Sequence, residues 1–103
     1  MHPKNFTFDN KEYLAWVRKN PCLICLTPLV DAHHVKHSRK NDFYTVPLCR
    51  QQHNQYHSFG HDSFEDKFAI CLDSEIINLL STFIDGKGEK IYVRGRTNDN
   101  GLF

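Results

Sequence analysis

The chain has 103 residues, with 13 Lys and Arg against 12 Asp and Glu, so its formal charge of +1 excludes a bulk polycation. Its length allows one packed domain, residues 1–103, with a modest core that draws on an aromatic content of 13%. No apolar run approaches the ~20 residues that cross a bilayer. Met1-His2-Pro3-Lys4 opens no apolar signal region, so the expectation is a cytoplasmic protein with no membrane partner.

Charge is nevertheless segregated. Lys36, Arg39, Lys40 and Arg50 dominate residues 36–50, and Lys87, Lys90, Arg94 and Arg96 dominate residues 87–96. Between them lie Asp62, Glu65, Asp66, Asp73 and Glu75. This distribution permits a basic face on a nearly neutral protein.

In chain order, residues 9–19 predict a first helix, with Asp9 as N-cap, Glu12 three residues on, and Tyr13, Leu14, Trp16 and Val17 as its apolar stripe. Asn20-Pro21 ends it, because the residue before proline avoids the helical region. Cys22-Leu23-Ile24-Cys25 then has the form of a metal knuckle, with Thr27-Pro28 as a turn. Residues 30–48 read as a hairpin, with strands at Ala32–Val35 and Phe43–Leu48 and a polar loop over His37–Asn41. Pro47 places the end of the second strand at an edge or turn.

Residues 50–58 form a helix that carries His53 and His57 and is closed by Phe59-Gly60. Gln51, Gln52, Asn54 and Gln55 make that helix polar, as for one lying in a groove. Asp62-x-x-Glu65 opens a short helix that contains Phe64 and Phe68. Another helix spans 74–84, with Ile76, Ile77, Leu79, Leu80, Phe83 and Ile84 assigned to the core. Asp85-Gly86-Lys87-Gly88 terminates it, a strand is expected at Lys90–Arg94, and residues 98–103 are expected to fray. Phe43, Tyr44, Phe59, Phe64 and Phe68 read as packing residues rather than base-stacking platforms.

Two constellations carry chemistry. Cys22, Cys25 and Cys49, in a chain with no signal region, favour a metal site over disulfides. His53-x-x-x-His57 puts two imidazoles on one helix face, about 5–6 Å apart at Cβ. In the adjacent pair His33-His34 the side chains alternate across a strand. One of the two can therefore join His53 and His57 as a third ligand while the other stands beside the metal. Three imidazoles and a spare have the stoichiometry of an open catalytic site rather than a closed structural one. Imidazole titrates near ~6.5, so the spare suits proton abstraction near neutral pH. Spacing alone does not say which histidine is spare.

Taken together, Cys22-Leu-Ile-Cys25, Ala32-His33-His34, Pro47-Leu48-Cys49, His53-Asn-Gln-Tyr-His57 and the following Ser63–Phe68 resemble the His-Asn-His (HNH) nucleases. The likeness is strongest to their phage recombination-associated branch and covers residues 20–84. It implies an α+β domain with a ββα-metal core over residues 20–60, C-terminal helices over 62–84 and a tail over 86–103. It also implies a divalent-metal-dependent DNA endonuclease of phage or prophage origin, using Mg, Mn, Ni or Zn. His33, His53 and His57 would be ligands and His34 the general base. Asp42 stands at the offset of the motif's middle Asn, which pins the hairpin loop, and Asn41 is its neighbour. Lys36, Arg39, Lys40 and Arg50 would contact phosphates, which positions DNA without reading sequence.

One departure concerns the thiols. The branch usually carries a His three residues after Cys49, where this chain has Gln52, and carboxamides are poor zinc ligands. Cys22, Cys25 and Cys49 thus await a fourth ligand for a structural zinc, with His37 and Cys71 as candidates, the alternative being no zinc and reduced cysteines that serve as packing residues. The rival readings are a non-catalytic zinc-binding nucleic-acid module, in which every His and Cys is structural, and a metal-binding regulatory protein. The sequence does not fix the oligomeric state.

Overall fold

The computed structural model describes residues 9–35 and 41–94. It is a small α+β domain in which, among the described residues, four helices pack around one two-stranded antiparallel ribbon. The first helix, α1, spans Lys11–Val17, shorter than residues 9–19. Its N-cap is Asn10, not Asp9, because Asn10 Oδ1 accepts from the Tyr13 N–H at 2.9 Å. Glu12 falls inside the first turn and closes no capping box.

The chain leaves α1 through Asn20, whose buried side chain donates to the Trp16 carbonyl at 2.7 Å. The knuckle follows, closed by Cys22 N–H to the Thr27 carbonyl and Leu26 N–H to the Cys22 carbonyl. Leu26 takes a positive φ of 65° at its tip. The Leu23 N–H donates to the Pro47 carbonyl and ties the knuckle to the hairpin.

Strand β1 is Asp31–His34 and β2 is Thr45–Leu48, paired with His33 opposite Val46 and His34 opposite Thr45. β1 begins one residue earlier than expected at the same length, and β2 is shorter than expected. Phe43 and Tyr44 belong instead to the turn that enters β2, where Asn41 Oδ1 accepts from the Phe43 N–H. Of the hairpin loop, residues 36–40 lie outside the described residues, as do residues 98–103. Pro47 lies next to the last residue of β2, opposite Ala32.

Cys49 caps the second helix, α2, over Arg50–Phe59. Gly60, at φ 87°, lets the chain swing directly into α3 over His61–Phe68. The expected Asp62-x-x-Glu65 capping box does not form. Gly60 is the N-cap, and the Glu65 carboxylate instead accepts from the Leu72 N–H at 2.7 Å. Ala69, in a left-handed conformation, ends α3, and α4 runs over Leu72–Gly86.

All of β2 is buried, covered by α1, α2 and α4. Tyr13, Trp16, Val46, Leu48, Phe64, Leu72, Ile76 and Leu79 form the centre of the core. The Phe83 ring packs edge-on to Tyr13, with centroids 5.0 Å apart. Phe43, Tyr44 and Phe68 pack against this core. Phe59 is 40% exposed, with the Lys67 ammonium 4.7 Å over its ring. Two residues assigned to the core are not in it, since Ile77 is 62% and Ile84 68% exposed. The apolar arc of α4 is wider than the surface it covers. No helix among the described residues is long and apolar enough to cross a membrane.

The expected strand at 90–94 is absent. That segment is held instead by side chains: Trp16 Nε1 donates to the Lys90 carbonyl at 2.7 Å, and Asn20 Oδ1 accepts from the Tyr92 N–H at 2.6 Å. Tyr92 also donates through its hydroxyl to Glu75 Oε1 at 2.6 Å. Asn20→Ala leaves the Tyr92 N–H and the Trp16 carbonyl without this partner. It should lower unfolding free energy by about 1–3 kcal/mol in urea titration and accelerate hydrogen exchange at Tyr92. Unchanged exchange there would mean that Asn20 does not hold the segment.

Candidate metal centres

Strand alternation decides the first centre. Asp31 and His33 share one face of β1, and His34 lies on the other. That first face meets α2, where His53 and His57 stand one turn apart. The His33 ring lies 4.4 Å from that of His53 and 5.2 Å from that of His57. His53 Nε2 and His57 Nε2 are 3.0 Å apart. One ring nitrogen from each of the three falls within 4.8 Å of the others. An open cleft of about 190 Å³ is lined by these three with Ala32 and His34.

His33 is 3% exposed, and its Nε2 is buried with no hydrogen-bond partner among the described residues. Burial, reinforced by His53, His57 and His34, pushes its pKa down to about 3. The ring is therefore neutral across the physiological range, the form that binds metal. An orphaned imidazole nitrogen facing two others fits a divalent cation, which would relieve its desolvation cost.

Asp31, which sequence reasoning missed, completes the arrangement. Its Oδ2 lies 3.4 Å from His53 Nδ1 and 3.2 Å from Arg50 Nη2. Neither Asp31 Oδ2 nor His53 Nδ1 has a hydrogen-bond partner among the described residues, so the carboxylate acts on the ring as a nearby negative charge. The available signal was its position two residues before His33 on an alternating strand. The Tyr56 ring backs His33 at 4.4 Å, and its hydroxyl bonds His61 Nδ1 at 2.8 Å. His61, Asp62 and Glu65 also bring ligand atoms within 4.8 Å. There His61 and Glu65 are engaged with Tyr56 and the Leu72 N–H, which fastens α3 to its neighbours.

On the other face, His34 Nε2 meets Asp42 Oδ1 at 3.0 Å. Asp42 Oδ2 accepts from the Asn10 N–H at 2.7 Å, so the N-terminus of α1 fixes the carboxylate. Burial opposes ionisation of Asp42, but the Asn10 N–H and His34 outweigh it and hold the carboxyl below the usual carboxylate range. The Asp42 carbonyl also accepts from the Thr45 hydroxyl, which closes the turn. Asp42 thus acts through its side chain on His34, while Asn41 makes the local side-chain-to-backbone bond of the turn.

Cys22, Cys25 and Cys49 form the second centre, with their sulfurs within 4.8 Å and Cys25 Sγ 3.4 Å from Cys49 Sγ. This cluster could hold a metal such as zinc. Burial resists ionisation of Cys22, but N–H groups of Cys25, Cys49 and Ile24 prevail and lower its pKa. The Thr27 N–H favours the Cys25 thiolate, yet burial and the sulfurs of Cys49 and Cys22 push it up to about 11. Neighbouring thiols resist full ionisation without a cation between them. Cys71 is exposed at the N-cap of α4 and is not among the converging thiols. Gln52 is buried one turn beyond Cys49, contrary to its assignment to a polar groove face, and its Oε1 has no partner among the described residues.

Arg50 is exposed but engaged with Asp31. His37, Lys36, Arg39 and Lys40 lie outside the described residues.

The sequence model of the family described as "Protein of unknown function (DUF968)" matches residues 1–85. The chain is 33% identical over 90 residues to the uncharacterised protein YdfU of Escherichia coli (strain K12). That alignment covers 81% of this chain and 24% of the relative, so the chain spans about a quarter of the relative's length. No solved structure matches.

Two outcomes follow from the histidine geometry. In the fold His33 stays neutral down to about pH 3, whereas in the unfolded chain it protonates below about 6.5. The unfolded state therefore binds the extra proton between these values. Stability of the metal-free protein should be full above about pH 6.5 and fall as pH drops toward about 3. His33→Gln should flatten this dependence in denaturant titrations, and an unchanged slope would contradict the assignment. Asp31→Asn should weaken divalent-metal affinity by about 10–100-fold in calorimetric titration.

Proposed function

We propose that this chain, which belongs to the DUF968 family, is a divalent-metal-dependent DNA endonuclease of the His-Asn-His plan. The observation that carries the reading is the convergence of His33, His53 and His57 from a β-hairpin and the helix after it, with His34 held by Asp42 beside the same cleft. The motif resemblance adds to this, and with it a cytoplasmic, phage-related setting.

In this reading His33, His53 and His57 hold the cation, which when bound would stabilise negative charge developing on a scissile phosphodiester. Neutral imidazoles leave the full cationic charge available for that purpose. The Asp42 carboxylate accepts the His34 Nε2–H, which leaves the Nδ1 lone pair free to take a proton from water. As His34 becomes an imidazolium, the same carboxylate stabilises it, and the Asn10 N–H keeps the carboxylate in place. His34 is thus the catalytic base, while Asp42 and Asp31 are positioning residues. Lys36, Arg39 and Lys40, shortly after His34 in sequence, are proposed to contact phosphates. Arg50 is assigned to Asp31 instead.

The thiol centre is proposed to hold a structural zinc through Cys22, Cys25 and Cys49, and Gln52, buried one turn after Cys49, stands where the motif carries its fourth ligand. Cys49 also caps α2, so this zinc would fix where the histidine helix begins.

Plasmid nicking with Mg²⁺, Mn²⁺, Ni²⁺ or Zn²⁺ tests the activity. Wild type should convert supercoiled DNA to open-circular form, and His34→Ala should slow this by about 10²–10⁴-fold. Asp42→Asn should cause a smaller loss. No cleavage with any of these metals would reject the enzyme in favour of a non-catalytic zinc module. For the structural site, native mass spectrometry should count one tightly held zinc that Cys49→Ser loses with a fall in Tm. Gln52→His should slow its release to a chelator.

A further inference from the structure

The outer face of α4 carries Ser74, Ile77, Ser81 and Ile84, spaced alternately by three and four residues. That spacing keeps a seam on one side of a helix. All four are exposed, and the two isoleucines are among the most exposed large apolar side chains of the described residues. The seam alternates a small residue with a large one.

We propose that this face pairs with a second copy of the chain as an antiparallel helix pair. With a two-fold axis beside the level of Leu79, Ile77 faces the partner's Ser81 and Ile84 faces the partner's Ser74. Each isoleucine then meets a serine, as interdigitated packing requires. Because the same pairs recur from either chain, the surface is self-complementary, the condition for an isologous interface. A parallel pair would set Ile against Ile and Ser against Ser.

Charge at the ends agrees. Asp73 lies in the first turn of α4 and Lys87 at its C-cap, both exposed. The antiparallel arrangement brings each Lys87 to the partner's Asp73 end, whereas a parallel one stacks like charges. Opposed helix dipoles favour the same direction. Leu80, half-buried beside the seam, flanks the axis. The pairing does not depend on the metal chemistry, and its test is separate from the cleavage assay.

Sedimentation equilibrium of the full, zinc-replete chain should show a species of twice the chain mass as concentration rises. Ile77→Asp/Ile84→Asp, at exposed positions, should return it to one chain mass with an unchanged far-ultraviolet circular dichroism spectrum. The register is tested by mixing two variants in a Cys71→Ser background, Ile77→Cys and Ser81→Cys. The mixture should cross-link under mild oxidation while neither variant alone does, since disulfides form only between close Cα atoms. A wild-type chain that stays monomeric to about 1 mM, or a dimer that survives the double substitution, overturns the interface. Cross-linking of Ile77→Cys alone overturns the register.

Discussion

His33, His53 and His57 each bring a ring nitrogen to within 4.8 Å of the others. Much of the domain keeps these three rings close and oriented. Burial of His33 behind Tyr56 removes it from water, and its neighbours disfavour its charge further. Asp31 sets a negative charge 3.4 Å from His53 Nδ1, from the same strand face as His33. The result is three converging ring nitrogens that could hold a metal ion, with the buried His33 Nε2 lacking a hydrogen-bond partner among the described residues.

The thiol centre serves the histidine centre through the backbone. Leu23 bonds to Pro47 and so ties the knuckle to β2, whose buried strand positions β1 and hence His33. Cys49 begins α2, and the His53 N–H bonds back to its carbonyl at 2.8 Å. A cation among Cys22, Cys25 and Cys49 would set the height and rotation of the helix that bears His53 and His57. On the opposite side, α1 reaches His34 through Asn10 and Asp42. The cleft is thus held from two directions by elements distant in sequence.

The histidine site was legible because its geometry is local. A spacing of four on a helix and alternation on a strand determine which imidazoles can meet. Asp31 obeyed the same alternation and was overlooked, because an acidic residue next to a turn has many ordinary explanations. The partnership of Asp42 with His34 depends on how the loop returns, which no periodicity encodes. Asn10 and Asp9 are both good caps, and only the path of the chain chooses between them. On α4, hydrophobicity alone put Ile77 and Ile84 in the core. The helix has more apolar surface than the hairpin and α1 cover, and the excess faces outward. At residues 90–94, side-chain bonds from Trp16 and Asn20 replace the ladder expected of a strand.

The central claim is that His33, His53 and His57 form a cation site with an open position. X-ray absorption at the nickel edge, on protein with zinc in its thiol centre and one equivalent of Ni²⁺ added, examines that site directly. Three imidazole nitrogens plus exchangeable oxygen, with one imidazole lost in His33→Ala, is the predicted coordination. Sulfur scattering, or a first shell unchanged in His33→Ala, would contradict it.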